Sequence, residues 1–351
     1  MKFKKSTFDK ATDISKTRTS EFNIPLINAK FGDNGIMYYG RKNDFETASM
    51  TIDIVNDGAI STASVYPQPQ ETGVLYNAYL IKPLFDVNNQ ILYFLSTTIQ
   101  KSIKEKFGYE NKAGWEKVKK EFIQLPTKDG KIDFDFMDAY ISELEEERIS
   151  ELTAYLTVSG LDNYELSSEE KKALENLKLV QWEEYNLEKL FGKATRGRRL
   201  KSQDRIKGVL PFVTAGEANT GISDFIGNDV KVFDKNTITI DMFGSAKYRN
   251  YNYGCDDHIA VVHTENLKME ESIFITSAIH KTSYNGQFNY GRNFYAKDAD
   301  TLNILLPINE KGIDYDFMNS LISAVQKLVI KEVVIYADEK IKTTKKVVRK
   351  D

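Results

Sequence analysis

Leu125-Pro126 followed by Ile132-Asp133-Phe134-Asp135-Phe136-Met137 returns 181 residues later as Leu306-Pro307 followed by Ile313-Asp314-Tyr315-Asp316-Phe317-Met318. Within the six-residue core only one Phe has become Tyr. Self-similarity at a fixed offset marks one structural unit used twice. Upstream, Ile24-Pro25-Leu26-Ile27-Asn28-Ala29 aligns with Leu210-Pro211-Phe212-Val213-Thr214-Ala215 at an offset of 186, and Gly35-Ile36 aligns with Gly221-Ile222 at the same offset. Thr51-Ile52-Asp53 aligns with Thr239-Ile240-Asp241 at 188. A drifting offset is what loop insertions in a duplicated domain produce. Two repeated units follow, about residues 20–131 and 195–312, each of ordinary domain size.

Each unit reads mostly as strands. Residues 50–55 and 237–242 alternate with β-branched side chains between Asn, Asp and Gly, and residues 75–81 and 258–263 do the same. A helix is expected after each, over 89–106 and 271–278. The class is α+β with twisted β-sheets. After each Leu-Pro the period turns helical. With Asp133 as N-cap, Ile132 stands at N′ and Met137 at N4, the hydrophobic-staple positions, and Ile313, Asp314 and Met318 repeat them. Asp135 and Asp316 fall in the first turn, where the helix dipole favours an anion.

Met137, Ile141, Leu144, Arg148, Leu152 and Tyr155 or Leu156 then recur at spacings of 3 or 4, as do Met318, Ile322, Val325 and Val329. Each unit therefore launches a long helix with a narrow apolar stripe that needs a partner. Gly160-Leu161-Asp162-Asn163 breaks the first helix, Ser167 to about Leu179 forms another, and the basic tail from Lys340 is expected to fray. The divisions are residues 1–131, 132–194 (spacer helices and linker), 195–312 and 313–351 (C-terminal helix and tail).

Of the 351 residues, 41% are hydrophobic and 28% charged, the ordinary soluble range. No apolar run reaches the length of a membrane span, and the polar start from Met1 shows no secretory h-region. One cysteine, Cys255, excludes an internal disulfide, and three scattered histidines offer no metal spacing. The expected compartment is cytoplasmic. The net charge of −3 hides a partition: residues 133–189 hold 16 acidic and 5 basic side chains, a balance of −11 that leaves +8 for the rest. Two basic lobes flank an acidic connector, which permits a nucleic-acid footprint without requiring one.

The paired carboxylates of the repeated phrase suggest acid–base or metal chemistry, but helix capping accounts for every residue, both flanking hydrophobes included. No phosphate-binding loop, nucleophile elbow or zinc-protease motif occurs. The Asn/Asp-Pro-Pro-aromatic motif of amino-methyltransferases is also absent. Cys255 with His258 three residues on is a weak nucleophile candidate, since a lone cysteine is more often buried and inert.

What stands out is basic residues interleaved with aromatics and amides. In the first unit these are Lys30, Asn34, Tyr38, Tyr39, Arg41, Tyr66, Gln68 and Gln70. In the second they are Asn219, Lys247, Tyr248, Arg249, Tyr251, Lys281, Tyr290 and Arg292, with the dense run Arg196, Arg198, Arg199 and Lys201 at its start. Arg and Lys suit phosphates and guanine edges, Asn and Gln suit adenine. Polar loop surface with tyrosines at strand edges is the better account of any one of them taken alone; the clustering in both units points to nucleic acid.

These features resemble the DNA-specificity (S) subunits of Type I and Type IIB-like restriction–modification systems. The resemblance rests on the lead-ins at 24–36 and 210–222, the Thr-Ile-Asp strands, and the helix launches at 125–137 and 306–318, and it spans about residues 20–335. It implies a non-catalytic chain in which two target-recognition domains each read half of a bipartite site in double-stranded DNA. It also implies that the two long helices form an antiparallel coiled-coil-like pair, packed through Met137, Ile141, Leu144, Leu152, Met318, Ile322, Val325 and Val329. Methyltransferase subunits would dock there, with or without a nuclease. S-adenosylmethionine would sit on the methyltransferase, and neither cofactor nor metal on this chain. A helix from Asp133 to about Thr157 is ~37 Å long, about one turn of B-DNA. The competing readings are a stand-alone DNA-modifying or DNA-cleaving enzyme and a scaffold that does not bind DNA.

Overall fold

The computed structural model describes residues 9–348; the first eight, read above for a signal segment, and the last three lie outside the described residues. The chain forms two compact units that divide between Leu152 and Thr153. In the first, the lead-in strand Ile24–Ile27 runs antiparallel to Ile36–Gly40 and parallel to Thr72–Val74, inside a five-stranded sheet. A second sheet centres on Thr51–Val55, flanked by Val65–Gln68 and Ala78–Ile81. Every residue of that central strand is buried, so it reads as a continuous β-branched run. The helix Asn89–Ile103 packs on this sheet, and Ile52, Ile54, Val65, Leu92, Leu95 and Met137 form the core.

The second unit repeats the plan. Lys207–Val213 runs antiparallel to Ile222–Ile226 and parallel to Gly254–Cys255. Thr237–Ile240 lies between Ala246–Arg249 and Ala260–Val262, under the helix Met269–Ser283. Its core includes Ile238, Ile240, Ile275, Ile279, Leu306 and Met318.

The strand ladders correct the sequence alignment by two residues. Thr51 pairs with Gln68 and Ile52 with Ile81, while Thr237 pairs with Arg249 and Ile238 with Val262. Val55 N donates to Ser64 O as Asp241 N donates to Ser245 O. The offset is therefore 186 through this strand, as in the lead-in, and 181 from the next strand, as in the closing phrase. The counterpart of Thr51-Ile52-Asp53 is Thr237-Ile238-Thr239, and the first unit's loop after the strand is five residues longer. Two consecutive Thr-Ile pairs in residues 237–240 made the false match.

The closing phrase folds alike in both units. Asp133 N donates to Pro126 O at 2.9 Å and Asp314 N to Pro307 O at 2.8 Å, across a hairpin each time. Asp133 Oδ1 accepts from Phe136 N and Asp314 Oδ1 from Phe317 N, both at 2.9 Å, so both are N-caps. Met137 and Met318 enter their units' cores. Ile313 packs on the cluster that holds Met318, whereas Ile132 stays 39% exposed, so the staple is incomplete in the first copy.

The helices run Phe134–Val158 and Tyr315–Val348, the latter through the stretch from Lys340 that the sequence expected to fray. Their buried faces differ from the predicted stripes. On the second, Met318, Leu321 and Ala324 are buried and Ile322 half-buried, but Val325 is exposed and Val329 75% exposed. On the first, Met137 and Leu156 are buried, Ile141 and Leu152 half-buried, and Leu144 exposed. Residues 181–194, read as linker, belong to the second unit: Gln181–Asn186 pairs along Asn303–Asn309.

The acidic connector also folds inward. Ser167 and Glu170 form a capping box on the helix Ser168–Asn176. Ser323 Oγ donates to Glu170 Oε1 at 2.5 Å and Lys327 Nζ to Oε2 at 3.0 Å, which packs that helix against the C-terminal one. Burial alone would raise the Glu170 pKa, but these donors and Ser167 N hold it below its ordinary value. Among the described residues no helix is long and apolar enough to cross a membrane.

Candidate nucleic-acid interface

Between the two lead-in strands of each unit the chain makes a tight turn of unusual backbone. Asp33, Asn34 and Gly35 have φ of 44°, 54° and 72°, and Asn219, Thr220 and Gly221 have φ of 48°, 53° and 83°. Three consecutive left-handed residues are rare outside Gly and Asn. Gly35 is obligatory for a second reason: a Cβ there would stand 2.5 Å from Asp53 Oδ2. Asn28 N donates to Gly35 O, and at the matching positions Thr214 N donates to Gly221 O.

Beneath the first turn, Tyr66 Oη accepts from Gly32 N at 2.9 Å and Gln68 Nε2 donates to Asn34 O at 2.7 Å. Gln68 is buried, so it shapes the turn and does not face outward; Gln70 is exposed and donates to Gln68 Oε1. Lys30 Nζ lies 2.6 Å from Asp33 and donates to Ile36 O. Arg41 stacks over Phe22 and is engaged by Glu21, Asp44 and Thr12 O, which makes it a tie within the first sheet. Tyr38 lies under Lys10, and Tyr39 borders an open cleft of about 610 Å³ with Lys42 and Gln70.

In the second unit the largest departure from the sequence reading is Arg249, which is 1% exposed. Its Nε donates to Thr239 Oγ1 and its Nη1 to Tyr251 Oη, both at 2.9 Å. It is therefore a buried brace and cannot touch DNA from this position. Lys247 is held by Glu217 at 3.2 Å and Ser245, and Arg292 by Asp298 at 2.6 Å. Tyr248 donates to Asn236 Oδ1 beside an open cleft of about 710 Å³. Tyr251 is half-buried, packed edge-on against the buried Tyr253.

Arg196, Arg198, Arg199, Lys201, Asn219 and Lys281 are exposed, and Tyr290 is 86% exposed. The basic run is no loose linker. Thr195–Arg196 pairs with Ala260–Val261, and Gly197 sits where a Cβ would be 1.7 Å from Cys255 O. Arg196 and the following arginines are thus carried on a fixed edge.

Catalytic chemistry finds no footing at Cys255 or in the acidic residues beside it. Burial pushes the Cys255 thiol up to about 12, which leaves negligible thiolate at neutral pH. Asp256, Asp257 and His258 lie within 4.8 Å of one another, but they are partly exposed and His258 already contacts Asp257. Sequence reasoning missed Asp33 and Thr220 of the paired turns. The signal was available as Asp-Asn-Gly and Asn-Thr-Gly ahead of a β-branched strand start.

A family model for the Type I restriction modification DNA specificity domain matches residues 3–154 and again 180–334. S.BcgI of Heyndrickxia coagulans, the specificity subunit of a Type II restriction enzyme, is 24% identical over 329 residues, covering 92% of this chain and 91% of that one. The fold matches the crystal structure of a Type I restriction–modification S subunit from M. genitalium with a TM-score of 0.56 at 17% identity, covering 97% of this chain and 89% of that chain. With a match in each repeat, the chain belongs to the Type I restriction modification DNA specificity domain family.

Proposed function

We propose that this chain reads a bipartite target in double-stranded DNA, one half per unit, and docks methyltransferase subunits that carry S-adenosylmethionine. The chain is a restriction–modification specificity subunit, the recognition component and not the catalyst. The observation that carries the bipartite reading is the duplication itself: two units with the same ladders, the same left-handed turn and the same helix launch, but different exposed side chains. Two such readers suit a target made of two halves.

In this reading the exposed Arg196, Arg198, Arg199, Lys201 and Lys281 hold phosphates, where point charge and the planar guanidinium serve without reading sequence. Tyr39, Gln70 and Tyr290 remain available for bases. The exposed stripes that carry Leu144, Val325 and Val329 suit the proposed antiparallel helix pair and the docking of methyltransferase, and a nuclease subunit is compatible with the same surface. The first long helix, 25 residues or about 37 Å, would set the gap between half-sites.

The test is to select bound sequences from a randomised duplex library with the full chain, and to map methylated sites when it is expressed with its methyltransferase. Two short blocks separated by a constant gap are expected; one contiguous block, or modification by the chain alone, refutes the reading. Insertion of seven residues within 137–157 should lengthen the gap, and an unchanged gap removes the ruler.

A further inference from the structure

We infer that the paired left-handed turns are the specificity-determining elements, with Asp33 and Asn34 facing bases in one half-site and Asn219 and Thr220 facing bases in the other. The inference rests on the DNA-specificity reading above and names where within each unit the bases are read.

The last three residues of the turn are left-handed in both copies, and in the first copy Gly32, with φ of 80°, extends the run to four. Thr220 and Asp33 hold a conformation that their side chains disfavour, a cost that persists where the surrounding structure over-determines it. That surrounding structure is visible. Gln68 and Tyr66 hold the first turn from below, and each turn is closed by the same backbone bond, from Asn28 N or Thr214 N. Under the second turn the buried Arg249 places Nη2 3.7 Å from the Cβ position of Gly221. A fixed platform with outward side chains is what base reading requires, because a loose reader forfeits discrimination.

The side chains also favour base edges over phosphates. Asp33, Asn34, Asn219 and Thr220 are all exposed, and none is cationic. Asp33, paired with Lys30, brings no net positive charge to a phosphate, whereas at a base edge its carboxylate accepts from the cytosine amino group. Asn matches adenine with paired donor and acceptor, and the Thr methyl suits thymine. The buried supports hold the turn's shape while the two outward positions differ between units. Two half-sites of different sequence require that combination.

The test exchanges the outward residues: Asp33→Asn with Asn34→Thr in the first unit and, separately, Asn219→Asp with Thr220→Asn in the second. Each full-length variant is run through the randomised-duplex selection beside the natural chain. Each exchange should alter or relax one or two positions of one block by about tenfold, leaving the other block and the gap as they were. The retained block reports that the variant is folded. If an exchange disrupts its unit, Asn34→Ala and Asn219→Ala alone serve, and each should relax one position of its block. The natural chain selecting two blocks while the variants select the same blocks at equal preference overturns this inference and leaves the bipartite reading intact. Failure of the natural chain to select any sequence overturns both.

Discussion

Asp53 should make the first unit lose stability as pH rises, and Asp53→Asn should remove that loss. The side chain is 0% exposed, and neither carboxylate oxygen has a hydrogen-bond partner among the described residues. Burial pushes its pKa well above the ordinary carboxylate value, and burial followed by the nearby Asp53 raises the Tyr79 hydroxyl as well. The unfolded chain releases this proton near pH 4, while the folded unit keeps it to higher pH. Below the unfolded pKa the group is protonated in both states and adds no pH dependence. Between the two pKa values the unfolded state binds fewer protons, so stability falls by about 1.4 kcal/mol per pH unit, and it levels off above the folded pKa.

Asn preserves the shape and removes the titration. The measurement is urea unfolding at pH 4 to 8, followed by Trp115 fluorescence in a Trp182→Phe background. Trp115 packs edge-on to Tyr79 in the first unit, and Trp182 is the other of the chain's 2 tryptophans. The gap between Asp53→Asn and the parent should open with rising pH at that slope. Parallel pH profiles would refute the claim that a neutral carboxyl is buried there.

Gln68→Arg should place a cation diagonally across the strand from Asp53, as Arg249 stands to Thr239, and abolish the same pH slope; a slope that persists in the unfolding titration counts against the 186-residue register of the two central strands. Arg249→Met, which strips donors from Thr239 and Tyr251, should cost the second unit roughly 3 kcal/mol, read as a shift of its denaturation midpoint with the first unit's unchanged. Asp133→Ala and Asp314→Ala should each cost about 1 kcal/mol as lost N-caps, with no effect on any methylation rate beyond that destabilisation. Arg198→Ala with Arg199→Ala should weaken duplex binding about equally for all sequences and flatten the slope of log affinity against log salt by about 1.8, whereas a changed preferred sequence would place these side chains on bases.

Two positions show how the repeats diverged. Asp53 corresponds to Thr239 and Gln68 to Arg249, so the first unit buries an acid without a cation and the second a cation without an acid. Sequence matching could not reveal this exchange, because the pairing partner lies on another strand and its register is set by hydrogen bonds. The same limit explains why Arg249 and Gln68 read as DNA contacts. Composition marks a side chain as polar; only the ladder tells which face of a strand it occupies and what covers it.

The sequence by itself determined the duplication, the strand-then-helix order within each unit and the role of Asp133 and Asp314. These rest on local chemistry: β-branched alternation, a helical period after each Leu-Pro, and a carboxylate one residue ahead of a helix. Only the tertiary structure decided the 186-residue register, the inward fold of the connector through Glu170, and which basic residues are braces. Each depends on which segments pair and in what register, across 153 residues for Ser323 and Glu170 and across a neighbouring strand for Arg249 and Thr239. The left-handed turns stand between the two cases. Their Asn and Gly residues are legible as a turn, but Tyr66 and Gln68, which hold the first turn, come from a strand more than 25 residues away.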